Sequence, residues 1–409
     1  MPIVPASSPT NWRAYGVVFA STIGNMLSVT PAVTAVFGIF LIAIAGEFGW
    51  PRAEVGGALA VLSLSTAFAS PIAGRLADRF GTRRTLLAGS LGLGVTIMAL
   101  ALAPNQPVIF YAQFALVGVV GALPNGMVFA KLIAEWFDER RGLWIGIAGG
   151  IGNGIGATIL PIIAGLLFEW VGWRGAFVGI GLLILVIGLP ILFLFVHDPI
   201  VRSGADGVEP QYEGVELRTA LGSPTFWLIA SAMPVGAGSL IALFSTVIPV
   251  LTDRGFSLDS ATIVLIAFAL TASAWEPSVG AILDRTRRPH ILAAFHWIGA
   301  GGLIVLLTAT TLPLLVVAGM MLGIGLGAET SAMSFLLSRY FGRRALGAIS
   351  GWAFGLLLGI TALTTVLLNL VYDHTTSYLL GIEAMVPLLA WNGLVMLLLG
   401  RYRYGAVPA

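Results

Sequence analysis

Residues 70–84 read SPIAGRLADRFGTRR, and residues 276–289 read EPSVGAILDRTRRP. At an offset of 206 positions Pro71 falls on Pro277, Gly74 on Gly280, Asp78 on Asp284 and Arg79 on Arg285. In both stretches an apolar run ends in the same arrangement of glycine, acid and arginine. A second pair, EWFDERRG (135–142) and RYFGRR (339–344), aligns Phe137 with Phe341 at an offset of 204. A chain that repeats its own plan across half its length is built from two like units.

The sequence around these stretches decides what the units are. Of 409 residues 57% are hydrophobic and 10% charged, with 21 basic and 19 acidic side chains. That is too little charge to cover a soluble globule of this size, whereas a bilayer asks for none. A helix needs about 20 apolar residues to cross the hydrocarbon core. The first half supplies windows at 15–46, 55–75, two within 85–130 divided by APNQP at 103–107, and then 142–168 and 175–196. Residues 197–222 are polar and cannot span. The second half repeats the count at 226–252, 260–281, two from 289 to about 337 turning near 311–313, then 346–372 and 379–400. The pattern predicts an all-α integral membrane protein. Its 12 transmembrane helices form two pseudo-symmetric six-helix bundles, residues 1–196 and 223–409, joined by a central cytoplasmic loop at 197–222. The apolar stretch Tyr15 to Gly46 is about twice as long as a signal-peptide core and reads as a retained first span.

Basic residues set the orientation. With the N-terminus inside, 18 of the 21 lie in inner connectors and helix ends, and Arg52, Arg174 and Arg254 lie outside. Both termini are therefore expected in the cytoplasm, in a bacterial inner (cell) membrane. Arginines confined to connectors signal topology, not nucleic-acid binding. There is no cysteine, and none of the four histidines pairs at i, i+4, so no metal site, thiolate chemistry or cofactor is expected. The absence of a nucleophile constellation argues against an enzyme.

The stretch G-x-L-x-D-R-x-G at Gly74 to Gly81, echoed six helices later in a 6+6 topology, resembles the major facilitator superfamily over essentially the whole chain. EFGWPRAEV after the first span, WFDERRGLWIGIAGG into the fifth, GWRGAF before the sixth and SPTFW opening the seventh are similar to its monocarboxylate-transporter and oxalate/formate-antiporter branch. The resemblance implies two bundles rocking about a central site. Asp78, Arg79 and Arg83 would form a cytoplasmic latch, and Asp284 and Arg285 would repeat it in the second half.

Ionisable groups within the membrane mark the chemistry, because burying charge there is costly. At about 1.5 Å per residue, Glu276 lies about 13 Å from Arg285, and Glu329 about 15 Å from Arg339, so both sit near the midplane. Their repeat mates are Ser70 and Asn125. Away from water a carboxyl favours its neutral form, so Glu276 and Glu329 are the candidates for carrying a proton as well as for binding solute. Asn125, Asn25 and Thr246 are further candidate contacts for a solute, although Thr can equally bond its own helix. GIAGGIGNGIG (146–156) reads as a packing face or hinge. The chain departs from the branch it resembles: Glu276 stands where monocarboxylate transporters carry the arginine of R-P-S-x-G, and the eleventh span lacks the antiporters' lysine. Lys131 is expected to reach for the inner interface.

The expected function is a secondary active transporter, working by alternating access, proton-coupled and functional as a monomer. It would move a cationic or neutral polar organic solute. The alternatives are a true monocarboxylate or organic-anion transporter, or drug-type efflux of lipophilic cations.

Overall fold

The computed structural model describes residues 11–198 and 213–404, apart from the side chains of Asn11, Ala53 and Thr330. Eleven segments among them are helical and apolar enough to cross a membrane: α1 (Trp12–Phe48), α2 (Glu54–Phe80), α3 (Thr82–Leu102), α4 (Pro107–Trp136), Arg141–Phe195, α7 (Pro224–Asp253), α8 (Leu258–Leu283), α9 (Ile291–Thr308), α10 (Leu312–Phe341), α11 (Leu346–Thr375) and α12 (Leu379–Leu398). The segment Arg141–Phe195 is two helices, α5 (141–171) and α6 (173–195), joined at Gly172 with φ 67° and ψ −179°. Only a residue without a Cβ turns there at little cost. The count of crossings is thus twelve.

Helix is the form that satisfies every backbone group inside lipid. Many serines and threonines do not disturb it, because their hydroxyls donate back to a carbonyl one turn earlier, as Thr66 does to Leu62 and Thr361 to Leu357. Lipid gives helices no hydrophobic reason to associate, so contact area and small residues hold them together. One core gathers Phe37, Phe40, Phe110, Phe114 and Phe177 from α1, α4 and α6, with Phe40 and Phe177 rings 4.9 Å apart. Another gathers Phe226, Phe335, Leu336 and Met396 from α7, α10 and α12.

Two spans that read as continuous are broken. In α1 the helix lapses at Leu27–Ser28 and resumes through a wide π turn at Thr30–Thr34. Pro31 is the cause, since its ring clashes with the carbonyl four residues back, that of Leu27. In α4 helix ends at Gly121 and resumes at Gly126, across Pro124. The Asn125 side chain accepts from the Gly126 amide at 2.6 Å and caps the new half-helix. The breaks are neighbours, because a Cβ on Gly121 would stand 2.9 Å from that of Val29.

Far from the arginine-rich connectors, Glu47 ties the halves of two sequence motifs together. It accepts from Trp173 Nε1 at 2.6 Å and from Arg174 Nη2 at 2.7 Å, while Arg174 donates to the carbonyls of Ala101 and Ala103. EFGW and GWRGAF are therefore the two sides of one clamp across α1, α3 and α6. Of the expected central loop, 199–212 lies outside the described residues. Its far end carries a helical turn, Leu217–Leu221, and docks on the α10–α11 connector through a bridge between Gly214 and Gly342.

Candidate functional site

The two halves meet at the arginine-rich end, backbone against backbone. A Cβ on Gly74 of α2 would stand 1.9 Å from the Gly347 carbonyl of α11, and one on Gly280 of α8 would stand 2.0 Å from the Gly142 carbonyl of α5. These are equivalent crossings in the repeat. One turn on, each crossing is finished by a carboxylate. Asp78 accepts from the Gly347 amide at 2.9 Å and the Ala348 amide at 2.7 Å. Asp284 accepts from Gly142 at 2.9 Å and Leu143 at 3.0 Å. Each half thus supplies the acid that caps the first turn of a helix in the other, where free amides and the helix dipole favour negative charge. Burial holds the Asp284 carboxyl above its ordinary value, against the pull of those two amides and of Arg339 and Arg141.

Around the caps lies a polar knot that the motif alone did not reveal. Lys131, 5% exposed, pairs with Glu135, lies 3.5 Å from Asp78 and donates to Thr82 at 3.1 Å. Arg141, 1% exposed, donates across the seam to Ser338 at 3.0 Å and pairs with Asp138 at 2.6 Å; Asp138 also pairs with Arg343 of the other half. Among the expected latch residues, only Asp78 and Asp284 reach across. Arg79 sits against Phe80, Arg83 donates to the Phe193 carbonyl within its own half, and Arg285 is exposed.

Deeper in the membrane the candidates separate. Glu276 is half-buried at the seam, against the glycine run of α5: a Cβ on Gly150 would meet its Cβ at 2.6 Å, and one on Gly149 would meet its Oε2 at 3.3 Å. The run 146–156 also receives α1, since a Cβ on Gly156 would stand 2.3 Å from the Met26 carbonyl. Past Gly355, which faces the Ala67 carbonyl, the next glycine of α11, Gly359, has nothing within 4 Å of where a Cβ would stand.

Glu329 does not line that seam. It is buried inside the second half, its carboxyl pressed on Gly236 of α7 and its Oε1 3.5 Å from Nε2 of His296 on α9. Asn25 is also buried, donating to the Ser21 carbonyl at 2.9 Å, with its Oδ1 facing Gly126. Asn125 caps the second half of α4, and the Thr246 hydroxyl is turned back on the Ala242 carbonyl at 3.1 Å. Among the described residues no cluster of three metal-binding side chains occurs.

Residues 18–365 match the family model described as Major Facilitator Superfamily. The chain belongs to that superfamily. The curated relatives that it matches include proteins named as transporters and export proteins. YhjX of Escherichia coli K12, an uncharacterised MFS-type transporter, is 27% identical over 228 residues, and the match spans about half of each protein, 54%. The gentisate transporter of Corynebacterium glutamicum is 26% identical over 335 residues, covering 78% of this chain and 73% of its own. The structure of the proton:xylose symporter XylE superposes with a TM-score of 0.71 at 13% identity, over 95% of this chain and 96% of that one, a likeness of fold.

His296 and Arg141 are both buried ionisable groups outside the residues that the sequence marks as candidates. His296 interrupts the uncharged window that begins at 289, and an ionisable group in such a window is itself a signal. Arg141 belongs to a motif already singled out, but nothing in spacing says that it turns inward to Ser338.

Proposed function

We propose that this superfamily member is a secondary active transporter that moves a small polar organic solute with protons by alternating access. The observation that carries the reading is the exchanged pair of caps. A seal made of two equivalent carboxylate-to-amide contacts between two like halves can be broken as a unit and remade, which is what a rocking bundle requires. On this reading residues 1–196 and 223–409 are the rocking bodies and 197–222 the tether. The arginine-rich end and both termini face the cytoplasm of a bacterial inner membrane, the state seen is outward-facing, and a monomer suffices.

Glu276, half-buried at the seam, is the carboxyl placed to meet a solute, whereas Glu329 is placed to hold a proton. At about 5 Å and an effective dielectric of about 20, an ionised Glu276 would repel an anion or attract a cation by about 3 kcal/mol. That favours a cationic or neutral polar solute. A second reading, an organic acid, is supported by the name of the gentisate relative and by the broken α4, whose inner half starts in the membrane at Gly126. Uptake of labelled amines, neutral polar solutes and organic acids into proteoliposomes, with and without a pH gradient, tests both. Saturable, gradient-driven uptake of an amine or neutral solute supports the first reading. The same behaviour with an aromatic or sugar acid selects the second, and no gradient response with any solute removes proton coupling.

A further inference from the structure

Glu329 and His296 occupy an unusual place for ionisable groups. Both side chains are fully enclosed, 0% exposed, within one half of the protein and away from the seam. His296 Nδ1 lies 2.6 Å from the Leu292 carbonyl, which can only accept, so Nδ1 carries a proton. In the neutral ring Nε2 is then a lone pair, and it faces Glu329 Oε1 at 3.5 Å. Neither Nε2 nor either carboxyl oxygen has a hydrogen-bond partner of ordinary geometry. On α7 the carboxyl meets Gly236, where a Cβ would stand 2.1 Å from Oε1, and the amide of Ala237. Asn392 of α12 is enclosed as well, with both amide atoms unpartnered, two residues beyond the Ala390 carbonyl that Trp297 bonds.

An ionised carboxylate facing a lone pair in such a place is repelled by its neighbour and deprived of water. A single added proton removes both problems. Held on the carboxyl, it is donated to Nε2; held on Nε2, it makes an ion pair. We propose that Glu329 and His296 together form one proton site, the coupling site of the transport cycle, and that they load and release as a unit. The proposal rests on the proton-coupled reading above. No ionisable side chain of α7 faces the pair, and Glu276 of α8 lies on the other flank of α10, where Ser331 donates to its carbonyl at 3.4 Å. The cover over the carboxyl is a weak point in α7. Pro234 takes away one helical hydrogen bond just before Gly236, so that segment can bend and admit water without unfolding the bundle.

The test uses proteoliposomes and the solute that the uptake panel identifies, comparing accumulation driven by a pH gradient with exchange of labelled for unlabelled solute at equal pH. Glu329→Gln and His296→Asn are the variants; asparagine keeps a donor for Leu292 and removes Nε2. Both are expected to lose gradient-driven accumulation by about tenfold or more while exchange stays within about twofold and loses its pH dependence. The double variant should be no worse than either single one, as for groups acting as a unit. Retained exchange shows that a variant is folded; if His296→Asn loses it, His296→Gln takes its place. Wild-type accumulation that ignores the pH gradient overturns the proposal together with the coupled reading. A coupled wild type with an unaltered His296 variant overturns the paired site alone.

Discussion

On the proposed reading the side chain at position 276 selects what the seam can hold. Glu276→Gln removes the charge and keeps the shape, so it should weaken a cationic solute by about tenfold to a hundredfold and leave a neutral one nearly unchanged. That is the range expected for one partly desolvated charge pair. Competition binding with the uptake panel measures it. Glu276→Arg should go further, admitting carboxylates and excluding amines; a wild type that binds short monocarboxylates and loses them in Glu276→Arg would contradict this reading. Gly236→Ala makes a second residue-scale prediction. Its new methyl meets the far end of a flexible side chain, so the protein should fold and insert normally while the Glu329 carboxyl is pushed aside and coupling falls; a measured ratio of accumulation to exchange unchanged from wild type would contradict it. Sequence made some of these residues readable and others not. Asp78 and Glu276 stood in a repeated motif. His296 did not, because contact between positions 296 and 329 is a property of how α9 lies on α10. The Thr246 hydroxyl bonds its own helix, a use of threonine that sequence does not distinguish from a solute contact.

At the level of helices the informative features are ends and crossings. Asp78 and Asp284 each hold two amides at the start of a helix in the opposite half. Asp78→Asn or Asp284→Asn should each weaken the seal by about 1.5–3 kcal/mol, the range for hydrogen bonds to a charged group. The measurement is labelling of a cysteine placed at the arginine-rich end of the seam, which should become faster in either variant. The two broken spans show the limit of counting apolar residues. Pro31 and Pro124 were visible, but a proline inside a membrane helix is often carried without a break, and only the neighbouring helices decide which outcome holds.

Across the whole molecule, twelve crossings and a twofold plan were legible because hydropathy and repetition act over long stretches of chain. The depth of each half's polar groups relative to the seam was not, since it depends on how far helices rotate about their own axes. Orientation is open to direct measurement: tags at both termini should be accessible to protease only after the membrane of intact cells is broken. Where backbone lies on backbone at Gly74 and Gly347, and again at Gly142 and Gly280, no width remains for a file of water molecules. A proton hopping through water needs such a file. On the proposed reading the closed end blocks that route as well as the solute's, and the voltage and acidity stored across the bilayer do not leak through water there while the other end stands open to fill.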